Sequence, residues 1–561
     1  MNRKARCWVF GIAAAVFLPG CGSEAPSPAA SSPEKPANAL ELVFTYGSEK
    51  EEWLKEVTAA YNASRPRTSD GQVVHITALP MGSGECIEEA LTGQRQVHLV
   101  SPASAAFIKL ANAQSRAKTG QDLVASTENL VLSPVVIAMW KPMAEALGWG
   151  KRPVGWADIL ARAKDTRGWA ALGFPQWGQF KFGHTHPEFS NSGLISLFAE
   201  VYAASGKTAG LTLEDVRKPS TAAFLAAIEQ SIVHYGSSTG FFGKKMFANG
   251  PQYLSAAVLY ENMVIESYAT RHALPFPIVA LYPKEGTFWS DHPVGIVERD
   301  WVTPAHREAA QAYIRHLLAR PQQEKALPYG FRPSDVDIPL GAPFDAAHGV
   351  DPREPQSTLE VPSVEVMDAT LQLWREHKKH SHVTLVLDTS GSMRQDARME
   401  NAKEGARQLL AMLNDRDLFS FLPFSGQPAW NVLAAPLSAR RTEADAAIQS
   451  LFAEGGTALY DAIDLAYTHQ LEARRAHPNR IAAIVVLTDG ADTNSRLTLP
   501  QLLDKIRFDH ELRTIRVFTI GYGDQAEKEK LKQIAEATQA KFYEGTPRTI
   551  RAVFRDISTF F

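Results

Sequence analysis

The sequence has 561 residues, which is enough for two to four domains of about 150 residues each. Its 58 Lys and Arg residues nearly balance 61 Asp and Glu residues. No basic block indicates nucleic-acid binding, and no acidic tail indicates disorder. The composition is that of an ordinary globular protein.

The first 21 residues are predicted to be a targeting segment. Three basic residues come first, namely Arg3, Lys4 and Arg6. The apolar stretch from Trp8 to Leu18 has 11 residues, whereas a membrane-spanning helix needs about 20. The following Leu18-Pro19-Gly20-Cys21 resembles a bacterial lipobox, which implies that Cys21 carries acyl chains such as palmitate and becomes the new N-terminus. A plain signal peptide cut near Gly20 is the alternative.

Residues 22–39 are rich in Pro, Ser and Ala and are predicted to be a tether that cannot bury a core. Gly22 rather than Asp follows the cysteine, and by resemblance to Gram-negative lipoproteins this favours the outer membrane. We therefore expect an envelope location, at the outer membrane or the periplasmic face rather than in the cytoplasm. If Cys7 is removed and Cys21 is acylated, Cys86 is the remaining thiol and the mature chain forms no internal disulfide.

Residues 40–339 alternate short apolar runs with amphipathic stretches. Residues 42–46, 73–77, 97–100 and 135–140 read as strands, and a helix follows the first of them with Trp53, Leu54, Val57 and Tyr61 on one face. Glycine and serine turns separate strands from helices, as at Gly82-Ser83-Gly84. This order predicts an α/β fold with a mostly parallel sheet and its turns along one edge.

Several segments of this region resemble the extracellular solute-binding proteins of ABC importers, near the molybdate, phosphate and sulfate binders. The similar segments are residues 134–139, 155–159, 187–193, 282–287 and 329–333. The resemblance implies a two-lobed, type II periplasmic-binding-protein-like fold with a ligand in a hinge-closed cleft.

The best candidates for ligand binding in that cleft are serines in turns that precede helices. They are Ser83, Ser101, Ser190 and Ser192, with Ser48 as a further possibility. Free backbone N–H groups at a helix start favour an anion. Helix capping is the alternative role for such serines, and Glu261 would disfavour a purely anionic ligand if it faced the cleft.

Residues 340–379 are predicted to be a linker that ends in a connector helix from Ser363 to Lys379. We expect no catalytic site. Gly236-Ser237-Ser238-Thr239-Gly240 fits a nucleophile elbow, but residues 224–235 read as a helix and not as the strand that an elbow requires. The histidine pairs at 184 and 186 and at 380 and 382 lack a third metal ligand at a suitable spacing and are expected at the surface.

A buried strand is predicted at residues 382–387, directly before Asp388-Thr389-Ser390-Gly391-Ser392. The turn would direct one carboxylate and two hydroxyls to a point beyond the strand's carboxyl end, where open α/β sheets bind ligands. One carboxylate with neutral hydroxyls suits a hard divalent cation that retains water and a free position.

Two later loops complete this pattern. Thr457 follows a glycine turn, and Asp489 ends a second apolar strand at residues 481–488. The arrangement D-x-S-x-S…T…D resembles the metal-ion-dependent adhesion site (MIDAS) of von Willebrand factor A (VWA) domains, and the resemblance covers residues 380–561. It implies a Rossmann-like domain with a central, mostly parallel sheet. It also implies Mg²⁺, or Mn²⁺ or Ca²⁺, at Asp388, Ser390, Ser392, Thr457 and Asp489, with a free position for a partner protein's carboxylate.

Together these patterns predict a lipid-anchored cell-envelope protein with a metal-dependent adhesion or scaffold domain and a solute-binding-like domain. The alternative is the substrate-binding receptor of an ABC-type importer, in which the C-terminal domain only docks. A hydrolase using Ser238 is the third class considered.

Overall fold

The computed structural model describes residues 35–507, 509, 515–523, 525–546 and 549–561. The predicted signal peptide, Cys21 and most of the predicted tether lie outside these residues. In the part of the chain that is described, no helix combines the length and apolarity needed to cross a membrane.

The N-terminal module contains two sheets with helices around them. Its strands are β1 Leu40–Gly47, β2 Val74–Met81, β3 Leu99–Ser101, β4 Val124–Asn129, β5 Val131–Trp140, β6 Phe182–Gly183, β7 Ala256–Tyr260, β8 Ile278–Leu281, β9 Trp289–Ser290, β10 Pro293–Val297 and β11 Arg332–Pro333. Its helices are α1 Glu51–Ala63, α2 Ser83–Thr92, α3 Ala105–Thr119, α4 Lys141–Leu147, α5 Trp156–Lys164, α6 Asn191–Ser205, α7 Leu213–Arg217, α8 Pro219–Glu229, α9 Thr239–Asn249, α10 Glu261–Ser267, α11 Pro304–Leu318 and α12 Arg320–Ala326.

A connector helix, α13 Val364–His377, leads to the C-terminal domain. The strands of that domain are β12 Ser381–Asp388, β13 Leu418–Phe424, β14 Val432–Pro436, β15 Ile481–Thr488, β16 Arg516–Tyr522 and β17 Phe542–Gly545. Its helices are α14 Arg398–Met412, α15 Leu437–Gln449, α16 Leu459–Ala476, α17 Leu499–Ile506, α18 Lys528–Ala537 and α19 Ile550–Ser558.

Lobe 1 of the N-terminal module is built on a sheet with the strand order β2-β1-β3-β10-β4. Strand β1 pairs in parallel with β2 and β3, and β10 is antiparallel to both of its neighbours. Trp53 from α1 and Tyr313 from α11 are buried in the same core as Phe44 of β1. The predicted strand–turn–helix order is therefore present in this lobe.

Lobe 2 differs from the prediction of a mostly parallel sheet. Its sheet has the order β11-β5-β7-β6, with β8 and β9 also on β5, and β6 with β7 is its one parallel pairing. Strand β5 is antiparallel to β7, β8, β9 and β11. The prediction failed because a strand buried on both faces has the same apolar sequence in a parallel and in an antiparallel sheet.

The C-terminal domain has the mostly parallel central sheet that the sequence predicted. Its strand order is β14-β13-β12-β15-β16-β17, and the pairing of β13 with β14 is the antiparallel one. Every residue of β12 and β15 is buried. The two strands are parallel neighbours in register, with Leu387 opposite Leu487. Their carboxyl ends therefore lie side by side at one edge of the sheet.

The connector helix was also predicted correctly. Ser363 caps it by accepting a hydrogen bond from the Val366 N–H, and Val366, Leu371 and Trp374 are buried. Arg375 donates to Glu188 of lobe 2 at 3.0 Å from its Nε. The helix is thus fixed to the second lobe.

The C-terminal domain packs on both lobes of the N-terminal module. Arg555 of α19 pairs with Glu85 at 3.1 Å and with Glu88 at 3.3 Å, both on α2 of lobe 1. The Phe560 ring stacks on His234 of lobe 2, with centroids 4.4 Å apart. Helix α19 and the residues after it therefore contact both lobes of the N-terminal module.

The two lobes touch directly across the cleft. The Ser48 and Ser238 hydroxyls are 2.8 Å apart, and the Gly84 N–H donates to the Phe189 carbonyl at 2.8 Å. A Cβ atom on Gly84 would lie 2.2 Å from the carbonyl oxygen of Glu188. Glycine is therefore required for this close approach of the two backbones.

We expect Gly84→Ala to lower the free energy of unfolding by about 1–3 kcal/mol, the usual cost of forcing extra atoms into a packed contact. Denaturant unfolding measures this loss, and small-angle scattering should show more open lobes. Gly341→Ala is the control because its Cβ would meet no atom within 4 Å. Equal stability of the two variants would show that the lobes do not touch in solution.

Candidate metal centre

The predicted metal centre begins at the carboxyl end of β12. Asp388 is completely buried there. Its Oδ1 accepts a hydrogen bond from the Ser390 N–H at 2.7 Å, and its Oδ2 accepts one from the Thr488 hydroxyl at 2.5 Å. The carboxylate is thus fixed by the turn after its own strand and by the neighbouring strand.

The two serines of the motif connect Asp388 to Asp489. The Ser390 and Ser392 hydroxyl oxygens are 3.1 Å apart, and Ser392 donates to Oδ1 of Asp489 at 2.6 Å. Asp489 directly follows β15 and is also completely buried. The pairing of two parallel strands therefore brings together residues about 100 positions apart.

Thr457 reaches the same place from the loop before α16. An ideal Cβ on Gly490 would lie 3.8 Å from both the Thr457 hydroxyl and the Ser392 hydroxyl. The Thr457 N–H donates to the Thr493 hydroxyl at 3.0 Å, which fixes the loop to the segment after β15. All five residues that the sequence predicted as metal ligands thus lie at one edge of the sheet.

Arg398 is a residue of this centre that the sequence did not indicate. It starts α14, is 8% exposed, and donates from Nη1 to Oδ2 of Asp489 at 2.8 Å. No spacing rule connects it to Asp489, which lies 91 positions later. Each oxygen of Asp489 therefore has a donor, one a hydroxyl and the other a cation.

The carboxyl group of Asp388 is costly to ionise in this setting. Burial raises its pKa to about 6, and the charge of Asp489 adds to the increase. Hydrogen bonds from Thr488 and Ser390 act in the opposite direction but do not cancel the effect of burial. A cation beside Asp388 would favour the ionised form.

The donor set fits a hard divalent cation such as Mg²⁺, Mn²⁺ or Ca²⁺. Two carboxylates and three hydroxyls are oxygen ligands, which these ions prefer. The two carboxylates carry two negative charges and Arg398 carries one positive charge. A bound divalent cation would leave the centre with one net positive charge, which favours an anion as a further ligand.

The serines predicted to bind a ligand in the cleft each have a different environment. Ser83 accepts from the Ala103 N–H at 2.9 Å. The hydroxyls of Ser190 and Ser192 lie 3.1 Å and 2.8 Å from the hydroxyls of Thr239 and Thr185, respectively. Ser101 is buried, and among the described residues its hydroxyl has no hydrogen-bond partner. Ligand binding by these four residues stays a prediction.

A charged network lies buried at the junction of the lobes. Lys50 is fully buried and contacts Glu49 at 2.8 Å and His292 at 3.1 Å. Burial would raise the pKa of Glu49, but Lys50 and His292 outweigh it and lower this pKa to about 2.

Glu261 pairs with Arg332 through both carboxylate oxygens, at 2.8 and 2.7 Å. Its charge is therefore neutralised within lobe 2.

The structure corrects two details of the sequence analysis. His184, His186 and His382 are buried rather than at the surface, because they contact Glu229, Trp374 and Ser420, respectively, which are distant in the sequence. The helix predicted at residues 224–235 ends earlier, at Glu229 of α8, and Ser238 directly precedes helix α9. No strand precedes it, so the nucleophile-elbow geometry is absent in this described part of lobe 2.

The raised pKa of Asp388 predicts how stability without metal depends on pH. The folded protein holds this proton more tightly than the unfolded chain, whose Asp pKa is about 3.9, so stability is lost as the pH rises from about 4 through 6. We compare the unfolding free energies of the wild type and of Asp388→Asn in EDTA. From pH 4.5 to pH 7.5 the value for the wild type should fall by about 2 kcal/mol relative to that for Asp388→Asn. Denaturant titrations at the two pH values measure this change. A difference between the two proteins that is the same at both pH values would contradict the prediction.

Comparisons with known proteins agree with both parts of this fold. The family model for bacterial extracellular solute-binding proteins matches residues 42–332, just over half of the chain. The model for the von Willebrand factor type A domain matches residues 382–553. Over 526 residues the chain is 23% identical to uncharacterized protein Rv1836c of Mycobacterium tuberculosis, covering 87% of this chain and 72% of that protein.

Other similarities cover one part of the chain each. Inter-alpha-trypsin inhibitor heavy chain H4 of Sus scrofa is 30% identical over 159 residues, which is 27% of this chain and 16% of the heavy chain. A periplasmic thiamin binding protein is 13% identical and covers 62% of this chain and 99% of its own, with a TM-score of 0.44.

A solved von Willebrand factor type A structure from Catenulispora acidiphila is 24% identical, with a TM-score of 0.29. It covers 32% of this chain and 42% of its own. The family models carry the assignment: the chain belongs to the bacterial extracellular solute-binding protein family and carries a von Willebrand factor type A domain in its C-terminal part.

Proposed function

We propose that this protein is a lipid-anchored cell-envelope protein that binds a partner protein through a divalent cation in its VWA domain. Asp388, Ser390, Ser392 and Thr457 hold the cation, and Asp489 acts directly or through water. The convergence of these five side chains at one sheet edge is the observation that supports the proposal. The partner supplies a carboxylate to the remaining coordination position.

The charges around the centre support a carboxylate as the partner's group. Arg398 already neutralises part of the charge of Asp489 at 2.8 Å. With a divalent cation present, the centre has one positive charge in excess, and hydroxyl ligands do not reduce it. An acidic side chain of the partner would cancel that charge in a partly desolvated site, where such pairing is stronger than in water.

The N-terminal module acts in this proposal as a scaffold between the membrane anchor and the VWA domain. The organisation is a signal peptide at 1–21, a tether at 22–39, the two-lobed module at 40–339, the connector at 340–379 and the VWA domain at 380–561. Membership of a family of extracellular proteins suggests an envelope or periplasmic location. Both families are typically non-enzymatic, in agreement with a binding role.

The alternative function, a substrate receptor for an importer, receives less support. The solute-binding-like fold suggests a small-molecule ligand in the cleft. However, Ser48 and Gly84 of lobe 1 contact Ser238 and Phe189 of lobe 2 directly. These contacts are made by residues at or next to the predicted ligand-binding serines Ser48, Ser83 and Ser190, so the scaffold role is favoured.

The cation site is tested by calorimetry with Mg²⁺ and Mn²⁺. We expect the wild type to bind one equivalent at this site and Asp388→Ala to lose it, because the variant lacks the buried carboxylate. Asp464→Ala is the matched control, since Asp464 pairs with Lys505 on the outside of the same domain. An acidic peptide added in excess should alter the Mn²⁺ electron paramagnetic resonance signal of the wild type. Cation binding that does not depend on Asp388 would contradict the proposal.

The lipid anchor is tested separately by cell fractionation. We expect the wild type to remain with the membranes and to incorporate labelled palmitate, whereas Cys21→Ser should appear in the soluble envelope fraction without label. Cys86→Ser is the control because that thiol is buried within the folded module. Release of the wild type with the soluble fraction would favour a plain signal peptide cut near Gly20.

A further inference from the structure

A second group of possible metal ligands lies inside lobe 2 and shares no residue with the VWA centre. His184 follows β6, Glu200 lies on α6 and Glu229 is the last residue of α8. All three side chains are buried, and one ligand atom from each lies within 4.8 Å of the others. Three structural elements therefore direct two carboxylates and an imidazole to one enclosed point.

His184 and Glu229 are held by groups on the outer side of this cluster. The Nδ1–H of His184 donates to the Thr185 carbonyl at 2.7 Å, which leaves Nε2 directed at Glu229 Oε1, 2.9 Å away. The other oxygen of Glu229 accepts from the Tyr235 hydroxyl at 2.5 Å and from the Trp374 indole N–H at 3.3 Å. Metal-binding histidines and carboxylates commonly have such outer partners, which fix their orientation.

Glu200 has one satisfied oxygen and one that is not. Its Oε1 accepts from the Ser196 hydroxyl at 3.0 Å. Its Oε2 is buried and has no hydrogen-bond partner among the described residues. A buried carboxylate oxygen without a partner costs free energy unless a proton or a cation reaches it. This unsatisfied oxygen is independent evidence that the cluster has a further ligand.

We propose that His184, Glu200 and Glu229 bind a divalent transition-metal ion of the Zn²⁺ type. One imidazole and two carboxylates are ligands that Zn²⁺ accepts, whereas Mg²⁺ and Ca²⁺ prefer oxygen alone. Two carboxylates with a neutral histidine balance two positive charges, so the ion would be buried without net charge. Zn²⁺ bonds of about 2.0–2.2 Å require side-chain shifts on the order of 1 Å.

The site would have a structural role in joining lobe 2 to the connector. Trp374 lies on α13, and its indole N–H donates to the same carboxylate that would bind the ion. The ion would thus link α6, α8 and the segment after β6, and would fix one anchor of α13. Because the three ligands are buried, the ion would enter during folding rather than afterwards.

The test uses the full-length mature protein with Asp388→Ala, which removes the proposed VWA cation site from the measurement. We expect one Zn²⁺ per chain by elemental analysis after refolding with Zn²⁺. Refolding with Co²⁺ should give visible absorption bands of a low-symmetry nitrogen and oxygen site. Adding Glu200→Gln should weaken Zn²⁺ binding by more than about 100-fold, because a ligand and its charge are lost.

Glu266→Gln is the matched control, since Glu266 lies in the same lobe beside Lys244 and outside the cluster. It should retain the metal. Trp374→Phe removes the outer N–H donor while keeping an aromatic ring in the core, and we expect about tenfold weaker Zn²⁺ binding in a folded protein. This variant keeps the test decisive if Glu200→Gln does not fold.

Two results would overturn the proposal. One is an Asp388→Ala protein that holds no Zn²⁺ or Co²⁺ after refolding, which would indicate that Glu200 shares a proton with its neighbours instead. The other is equal metal content and affinity in the parent and in Glu200→Gln or Trp374→Phe.

Discussion

The packing of α19 and the residues after it on both lobes is the contact on which the arrangement of the whole molecule depends. Arg555 pairs with glutamates of α2 in lobe 1, and Phe560 stacks on His234 in lobe 2. Lys378, just after the connector, also donates to the Phe561 carbonyl at 2.8 Å. The lobes cannot separate without breaking one of these contacts or moving the VWA domain. Opening of the cleft and the position of the VWA domain are therefore mechanically coupled.

Buried charge is balanced in a different way at each of three places. At the lobe junction Lys50 compensates Glu49, and in the VWA domain Arg398 compensates Asp489. In lobe 2, Glu200 and Glu229 lie near one another, and burial followed by the charge of Glu229 raises the pKa of Glu200 well above its usual value. At the first place the charges of Lys50 and Glu49 cancel within the chain. The other two have carboxylate oxygens in excess, which is why cations are proposed there.

The sequence indicated the residues that the fold brings together at the carboxyl ends of β12 and β15 because most of them occupy short turns after buried strands. Asp388, Ser390 and Ser392 lie at alternate positions, and Asp489 follows an equally apolar strand, so the local pattern carries the information. Arg398 was missed because an arginine at a helix start has no distinguishing signal. His184 and Glu229 were not connected because 45 positions separate them and only the fold brings them to 2.9 Å. The antiparallel sheet of lobe 2 was missed for a similar reason, since strand direction depends on tertiary connections.

The length of β12 has a consequence for how the protein presents its metal centre. The strand starts at Ser381, close to the contacts of Lys378 with the end of the chain, and reaches the centre at Asp388. Eight residues of extended chain span roughly 23 Å. A rotation of about 10° at the junction would move the centre by about 4 Å at that radius. A force applied at the metal centre therefore acts as a torque on the junction between the VWA domain and the N-terminal module.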